Sequence, residues 1–295
     1  MELRVLQYFL AVAREQSITG AAESLYLSQP TLSRQLRDLE EELGKQLFIR
    51  GKRHITLTEE GMILRKRAEE IMQLVKKAED EISLNDSMIA GDITVGAGET
   101  EGMRILTKTV CDIQAEFPLI HFHVVSGDRV DVAEKLDRGL IDFGFVFGRV
   151  DTSKYERIEI PYRDTWGVIM RKDSPLAKKD AITVDDLRGE PIIISRQAFT
   201  SNELRDFFGE EQKKLNIVAT YNLFYNGSIM VDEGMGYAIS FDKLINVSGN
   251  SNLCFRPLSP CIEATPSLIW KKYQVFTKAT SIFLQRFRES IGLSD

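Results

Sequence analysis

The chain has 295 residues, 43% of them hydrophobic and 28% charged, with a formal net charge of -6. That length suits about two domains of ordinary size, and the mild acidity excludes a polybasic, histone-like protein while leaving room for a local basic patch. No run of about 18 apolar residues occurs, so no membrane span is expected.

The opening MELRVLQYFLAVAREQ interrupts its apolar residues with Arg4, Gln7, Arg14 and Glu15. It is no secretory signal, and a cytoplasmic location is expected. Leu3, Leu6, Phe9, Leu10 and Ala13 form the stripe of an amphipathic helix. Thr19 is expected to cap a second, short helix with Ile18 as a staple, and Ala21 and Ala22 allow close approach of a neighbour. Ser28 is expected to cap a third helix, with Pro30 in its first turn. Leu32, Leu36, Leu39 and Leu43 point one way at spacings of 4, 3 and 4. The other side carries Pro30, Arg34, Arg37 and Asp38, flanked by Thr31 and Ser33, and Gly44 ends the helix. Helix, tight turn and helix with a polar outer face is the pattern of a helix-turn-helix. Asp38, Glu40, Glu41 and Glu42 oppose the macrodipole and would repel phosphates, so only the N-terminal half suits a major groove.

KQLFIRGKRHITLT then reads as two strands around a Gly51-Lys52 turn, with Ile55 and Leu57 facing inward. Between Leu43 and Leu57 stand four basic residues and no acid, namely Lys45, Arg50, Lys52 and Arg53. This is the composition of a wing, whose cations neutralise backbone phosphates. Thr58 caps a long helix with Glu59 and Glu60 at its positive end. Leu64, Ala68, Ile71, Val75, Ala78 and Ile82 repeat every 3.5 residues, which predicts a seam for a second copy of the same helix, with a hinge at 85–91.

These residues resemble the LysR-type transcriptional regulators. The likeness is carried by AAESLYLSQPTLSRQLRDLEEELGKQLFIR at 21–50 and LTEEG at 57–61. Beyond them the chain is similar to the family in layout alone. The resemblance implies an α/β protein with an N-terminal winged helix-turn-helix at 1–58, a linker and dimerisation helix at 59–88, and a two-lobed effector domain at 91–295. That domain would be Rossmann-like, in the manner of periplasmic binding proteins, with one lobe at about 91–162 plus 266–295 and the other at about 163–265. Gln29, Pro30, Thr31, Ser33, Arg34 and Arg37 would lie in or beside the major groove, and Arg50, Lys52 and Arg53 at backbone or minor groove. An Arg can pair with guanine and a Gln with adenine, each worth ~1–3 kcal/mol of discrimination. The implied partners are double-stranded operator DNA, a small-molecule effector, further copies of the chain as a dimer or tetramer, and RNA polymerase.

From Gly91 onward strands alternate with helices, which predicts parallel sheets covered by helices. The predicted strands lie in GDITVGAG, HFHVVSG, IDFGFVFG, WGVIMRK, EPIIISR, NIVATYNLF, GYAIS and SLIW. The predicted helices lie in EGMRILTKTVCDIQAEFP, DRVDVAEKLDRG and NELRDFFGEEQKKL, with a last one from about Phe276 to Ile291. Ligands of open α/β sheets bind beyond the strands' carboxyl ends. That rule marks Thr100 beside Glu99, Ser126, Asp128 and Arg129, and Phe147; across a cleft it marks Ser195 and Arg196 beside Gln197, and Asn226. Ser and Thr at such ends also serve as helix N-caps. Arg129 and Arg196 would suit an anionic effector.

No catalytic set, metal or cofactor is expected. An enzyme would need a nucleophile–base pair, paired carboxylates or a phosphate loop, and GAGETEG lacks the G-x-G-x-x-G spacing. His54, His121 and His123 read as structural. Cys111, Cys254 and Cys261 form no CxxC pair; they are expected as reduced thiols, with a 254–261 disulfide as the alternative.

Overall fold

The computed structural model describes residues 1–51, 54–83, 89–199 and 202–293. The chain divides into two compact units, Met1–Leu84 and Asn85–Asp295. In the first, α1 (Leu3–Glu15), α2 (Ile18–Ser24) and α3 (Gln29–Leu43) precede a hairpin of β1 (Phe48–Arg50) and β2 (Ile55–Leu57), and then α4 (Glu59–Ser83). Ser17, rather than Thr19, caps α2, its hydroxyl accepting the Gly20 N–H at 3.2 Å. Capping from Ser17 brings Ile18 into the helix as its first residue.

The buried stripe of α1 is Val5, Leu6, Phe9, Ala11 and Val12, so the expected register is offset and Leu3 stays exposed. The core closes around Ala21, Ala22, Leu32, Leu36 and Leu39, while Leu43 lies outside it. Phe9 meets Phe48 of the wing at 5.2 Å between ring centres. Glu40, at the acidic end of α3, accepts the N–H groups of Leu47 (2.7 Å) and Phe48 (3.2 Å). Gly61 allows α4 to cross this point, since a Cβ there would stand 2.2 Å from the Leu47 carbonyl oxygen. Thr58 caps α4 by accepting the Gly61 N–H.

The lower half of the expected α4 seam is absorbed within the unit. Ala68 is fully buried in the helix-turn-helix core, with Leu64 and Ile71 packed against it. Ala68 is a core residue, which corrects the expectation that it faces a second copy, while Leu64 and Ile71 are partly covered within the unit. Further along the helix Ala78 is exposed and Ile82 is 84% exposed. The expected hinge residues Asn85, Asp86, Ser87 and Met88 lie outside the described residues.

In the second unit the elements are β3 (Gly91–Ala97), α5 (Met103–Glu116), β4 (Ile120–Ser126), α6 (Arg129–Asp137), β5 (Phe143–Phe147) and β6 (Tyr155–Glu159), then β7 (Asp164–Arg171), β8 (Pro191–Ser195), α7 (Arg196–Phe199), α8 (Asn202–Phe208), β9 (Asn216–Tyr221), α9 (Phe224–Asp232), β10 (Tyr237–Phe241), β11 (Leu253–Pro257), β12 (Glu263–Ala264), β13 (Pro266–Lys271) and α10 (Lys278–Ser290). Two sheets result. One runs β4-β3-β5-β13-β6; the other runs β11-β7-β10-β8-β9, with β12 also on β7.

Both sheets are mixed, which corrects the parallel expectation. β3 pairs in parallel with β4 and β5, but β13 is antiparallel to β5 and β6. Likewise β8 is parallel to β9 and β10, whereas β7 is antiparallel to β10 and β11. Returning chain at 266–271 supplies the antiparallel partner in the first sheet. Three further expectations are corrected. NELRDFFGEEQKKL is helical only to Phe208 and tightens into a 3₁₀ turn over Gly209–Lys214. The strand in NIVATYNLF ends at Tyr221, where α9 follows. Strands β6, β11 and β12 were not anticipated. Phe143, Phe145, Phe283 and Phe287 centre one core, and Val168, Ile192, Ile194 and Ile239 another.

Candidate functional site

Two surfaces carry the chemistry. The first is the outer face of α3. Ser28 caps the helix, its hydroxyl accepting the Thr31 N–H at 3.3 Å and lying 2.7 Å from the Thr31 hydroxyl. Gln29, Pro30, Thr31, Arg34 and Arg37 are exposed, while Leu32, Leu36 and Leu39 anchor the opposite face. Ser33 does not join the outer face: it is 9% exposed and lies on the inner side, so the expectation for it is corrected. Arg34 stands 3.9 Å from Asp38, and Arg37 Nε donates to the Ser33 carbonyl at 3.4 Å. An exposed pair of that length holds its arginine weakly, leaving the guanidinium free to take a better partner. Arg50 is the last residue of β1, and the expected wing residues Lys52 and Arg53 lie outside the described residues.

The second surface is a cleft of about 160 Å³ between the two sheets of the C-terminal unit. Asp128, Arg129, Phe147, Ser195 and Arg196 line it as expected from the strand-end rule. Thr100 does not. It is buried, and its hydroxyl donates to Asp164 at 2.5 Å. Ser126 is exposed and borders, with Thr100, a neighbouring depression, and Asn226 is exposed on α9 away from the cleft lining. Among the lining residues that sequence reasoning did not reach are Arg149, Trp166, Tyr221, Asn222, Phe224 and Phe241. A signal for some existed, because Tyr221-Asn222 end a strand as the rule requires; the overlong strand reading moved the mark to Asn226.

One wall is aromatic. Phe241 lies 4.0 Å from Trp166 and 4.7 Å from Phe147 between ring centres. Asp128 is committed to capping α6, accepting the Val130 and Asp131 N–H groups. Ser195 likewise accepts the Ala198 N–H at 2.9 Å. Arg129 Nη1 donates to the Arg149 carbonyl at 3.0 Å. No hydrogen bond or ion pair ties the guanidinium of Arg149 or Arg196 to another described residue. Beside the cleft, burial pushes the Asp164 carboxyl up to about 6 against the opposing pull of Thr100. Asp164 Oδ1 and Trp166 Nε1 are buried with no hydrogen-bond partner among the described residues.

A helix-turn-helix with a polar outer face, followed by a two-sheet unit enclosing a cleft, defines a DNA-binding regulator with a ligand-binding portion. Residues 3–62 match the family described as "Bacterial regulatory helix-turn-helix protein, lysR family", and residues 87–292 match the "LysR substrate binding domain". Accordingly the chain belongs to the LysR family of bacterial transcriptional regulators. It is 28% identical over 296 residues to the HTH-type transcriptional regulator BsdA of Bacillus subtilis, covering 97% of this chain and 100% of the relative. To the Hca operon transcriptional activator HcaR of Escherichia coli it is 27% identical, covering 92% of each chain. The fold is that of CbnR, a LysR family transcriptional regulator, at a TM-score of 0.75 and 19% identity with both chains fully covered. CbnR has also been solved in complex with its target DNA, and this chain is similar to that form at a TM-score of 0.75 and 20% identity, covering 98% and 100%.

Proposed function

We propose that this protein reads operator DNA with Gln29, Pro30, Thr31, Arg34 and Arg37 of α3, and that an anionic small molecule in the C-terminal cleft switches it. The carrying observation is the division of α3 into an inner face of three buried leucines and an outer face that is polar, cationic and unengaged by the core. Such a face fits the major groove, where arginine and glutamine meet base edges. The effector contacts we assign are Arg129, Arg149 and Arg196 to the acid group and Phe147, Trp166 and Phe241 to its body.

In this reading the protein acts in the cytoplasm as a homo-oligomer and communicates with RNA polymerase. Its working parts are the winged helix-turn-helix at 1–58, the linker at 59–88 and the effector domain from 91, with Arg50, Lys52 and Arg53 on DNA phosphates or in the minor groove. Pairing through α4 would use Val75, Ala78 and Ile82 together with Ile63 and Leu74, which leave apolar surface uncovered. The decisive experiment is selection of bound fragments from the organism's own genome at low salt, followed by footprinting. A reproducible, partly symmetric site supports the proposal; uniform binding to all fragments, or none, refutes it.

A further inference from the structure

Among the described residues, hydrogen bonds between lining residues bridge the cleft from one sheet's loops to the other's at two places. In the first, the Arg129 N–H donates to Gln197 Oε1 at 3.3 Å. The cations gather at this bridge: Arg129 carries the backbone donor, Arg149 is bonded to Arg129, and Arg196 adjoins Gln197. In the second, Glu99 Oε2 accepts the N–H of Phe224, the first residue of α9. Glu99 follows β3 and Phe224 follows β9, so this carboxylate crosses from one lobe to seat itself on the helix start of the other. The cleft is therefore asymmetric in charge: arginines gather at one bridge, beside an Asp128 committed to capping α6, and an acid is already in place at the other.

We propose that Glu99 is a specificity-determining residue of the effector cleft: its carboxylate fills the N-terminus of α9 and restricts the ligand to one acid group on a flat apolar body. The inference rests on the effector reading above. The acid group of the ligand would meet the guanidinium groups of Arg149 and Arg196, which bond no other described residue, and the body would lie along Phe147, Trp166 and Phe241. A second carboxylate on the far side of that body would reach a helix start whose first N–H is taken by Glu99, an occupant that is itself anionic. Like charges brought together in a partly desolvated site reject a partner more than they weaken the intended one. Burial already pushes the Glu99 carboxyl up despite the Phe224 N–H.

The test uses the full-length protein, wild type and the variants Glu99→Gln and Glu99→Ala. Hydrogen exchange reads the plug without any ligand: Glu99→Ala is expected to speed exchange at the Phe224 amide at least tenfold, and unchanged exchange overturns the proposal. Calorimetric titration with 4-methylbenzoate and terephthalate, which differ by a methyl against a carboxylate, reads selectivity. Wild type is expected to bind 4-methylbenzoate at least tenfold tighter, and Glu99→Gln, which keeps an acceptor but loses the charge, to narrow that ratio at least tenfold. Equal affinities in the wild type, or an unaltered ratio in Glu99→Gln, overturn it. Faster Phe224 exchange with neither acid binding any of the three proteins would reject the effector reading and the selectivity with it, while leaving the plug intact.

Discussion

Arg34 and Asp164 show how differently two charged residues are placed. Arg34 is exposed and held only by a long contact to Asp38. Replacing it with Ala should weaken binding to the specific site by ~1–3 kcal/mol while nonspecific binding falls much less. Competition assays against random-sequence DNA read this directly, and equal losses on both DNAs would remove the base-reading role. Asp164 is buried, faces Thr100, Glu101 and Lys243, and has its carboxyl raised from 3.8 to about 6. Between those values the folded protein holds a proton that the unfolded chain has released, so this group's contribution to stability falls as pH rises from about 4 to 6. Asp164→Asn should therefore gain on wild type by up to about 3 kcal/mol between pH 4 and 7 in urea unfolding of the C-terminal unit. A difference independent of pH would show that Asp164 does not titrate in that window.

At the scale of elements, α4 divides its labour along its length. Ile71 packs against the helix-turn-helix core, whereas Ile82 is exposed. Ile71→Asp should destabilise the N-terminal unit by roughly 1–3 kcal/mol, because it sets a charge against apolar packing. Ile82→Asp should alter its stability by less than about 0.5 kcal/mol and raise the dimer dissociation constant. Denaturant titration and sedimentation at several concentrations separate the two outcomes; unchanged assembly in Ile82→Asp would exclude the distal helix as a pairing surface. The sequence conveyed that α4 is long and striped, since periodicity is local. It could not convey which half of the stripe is covered, because that depends on α1 folding back on α4, a contact between segments some sixty residues apart in the chain. Similar reasons governed the rest. The α3 face was legible because its leucines, cap and glycine stop all lie between Ser28 and Gly44. The mixed sheets were not, because β13 joins β5 across more than a hundred residues and strand direction leaves little mark on composition. Thr100 was misread because a hydroxyl at a strand end looks the same whether it meets a ligand or a buried Asp164.

On the scale of the whole molecule, the two units have separate cores: one cluster gathers residues of 1–71, and the others draw only on residues from 89 onward. Calorimetry of the full chain should resolve two unfolding steps. Leu36→Ala, which empties a fully packed position, should lower one of them by ~2–5 kcal/mol and leave the other in place. Equal displacement of both would mean that the units melt as one. The cysteines add no cross-link to this scheme. Cys254 is buried with its thiol pushed up by burial, Cys261 is exposed, and both are free thiols. The 254–261 disulfide alternative is thus not formed in this structure.

The Glu40 carboxylate has one more consequence. By gripping two successive amides at the entry to the hairpin, it fastens α3 to the β1–β2 hairpin as a single stiff tool. A tool of that kind has no joint of its own, so accommodating binding sites of different spacing falls to the chain beyond it.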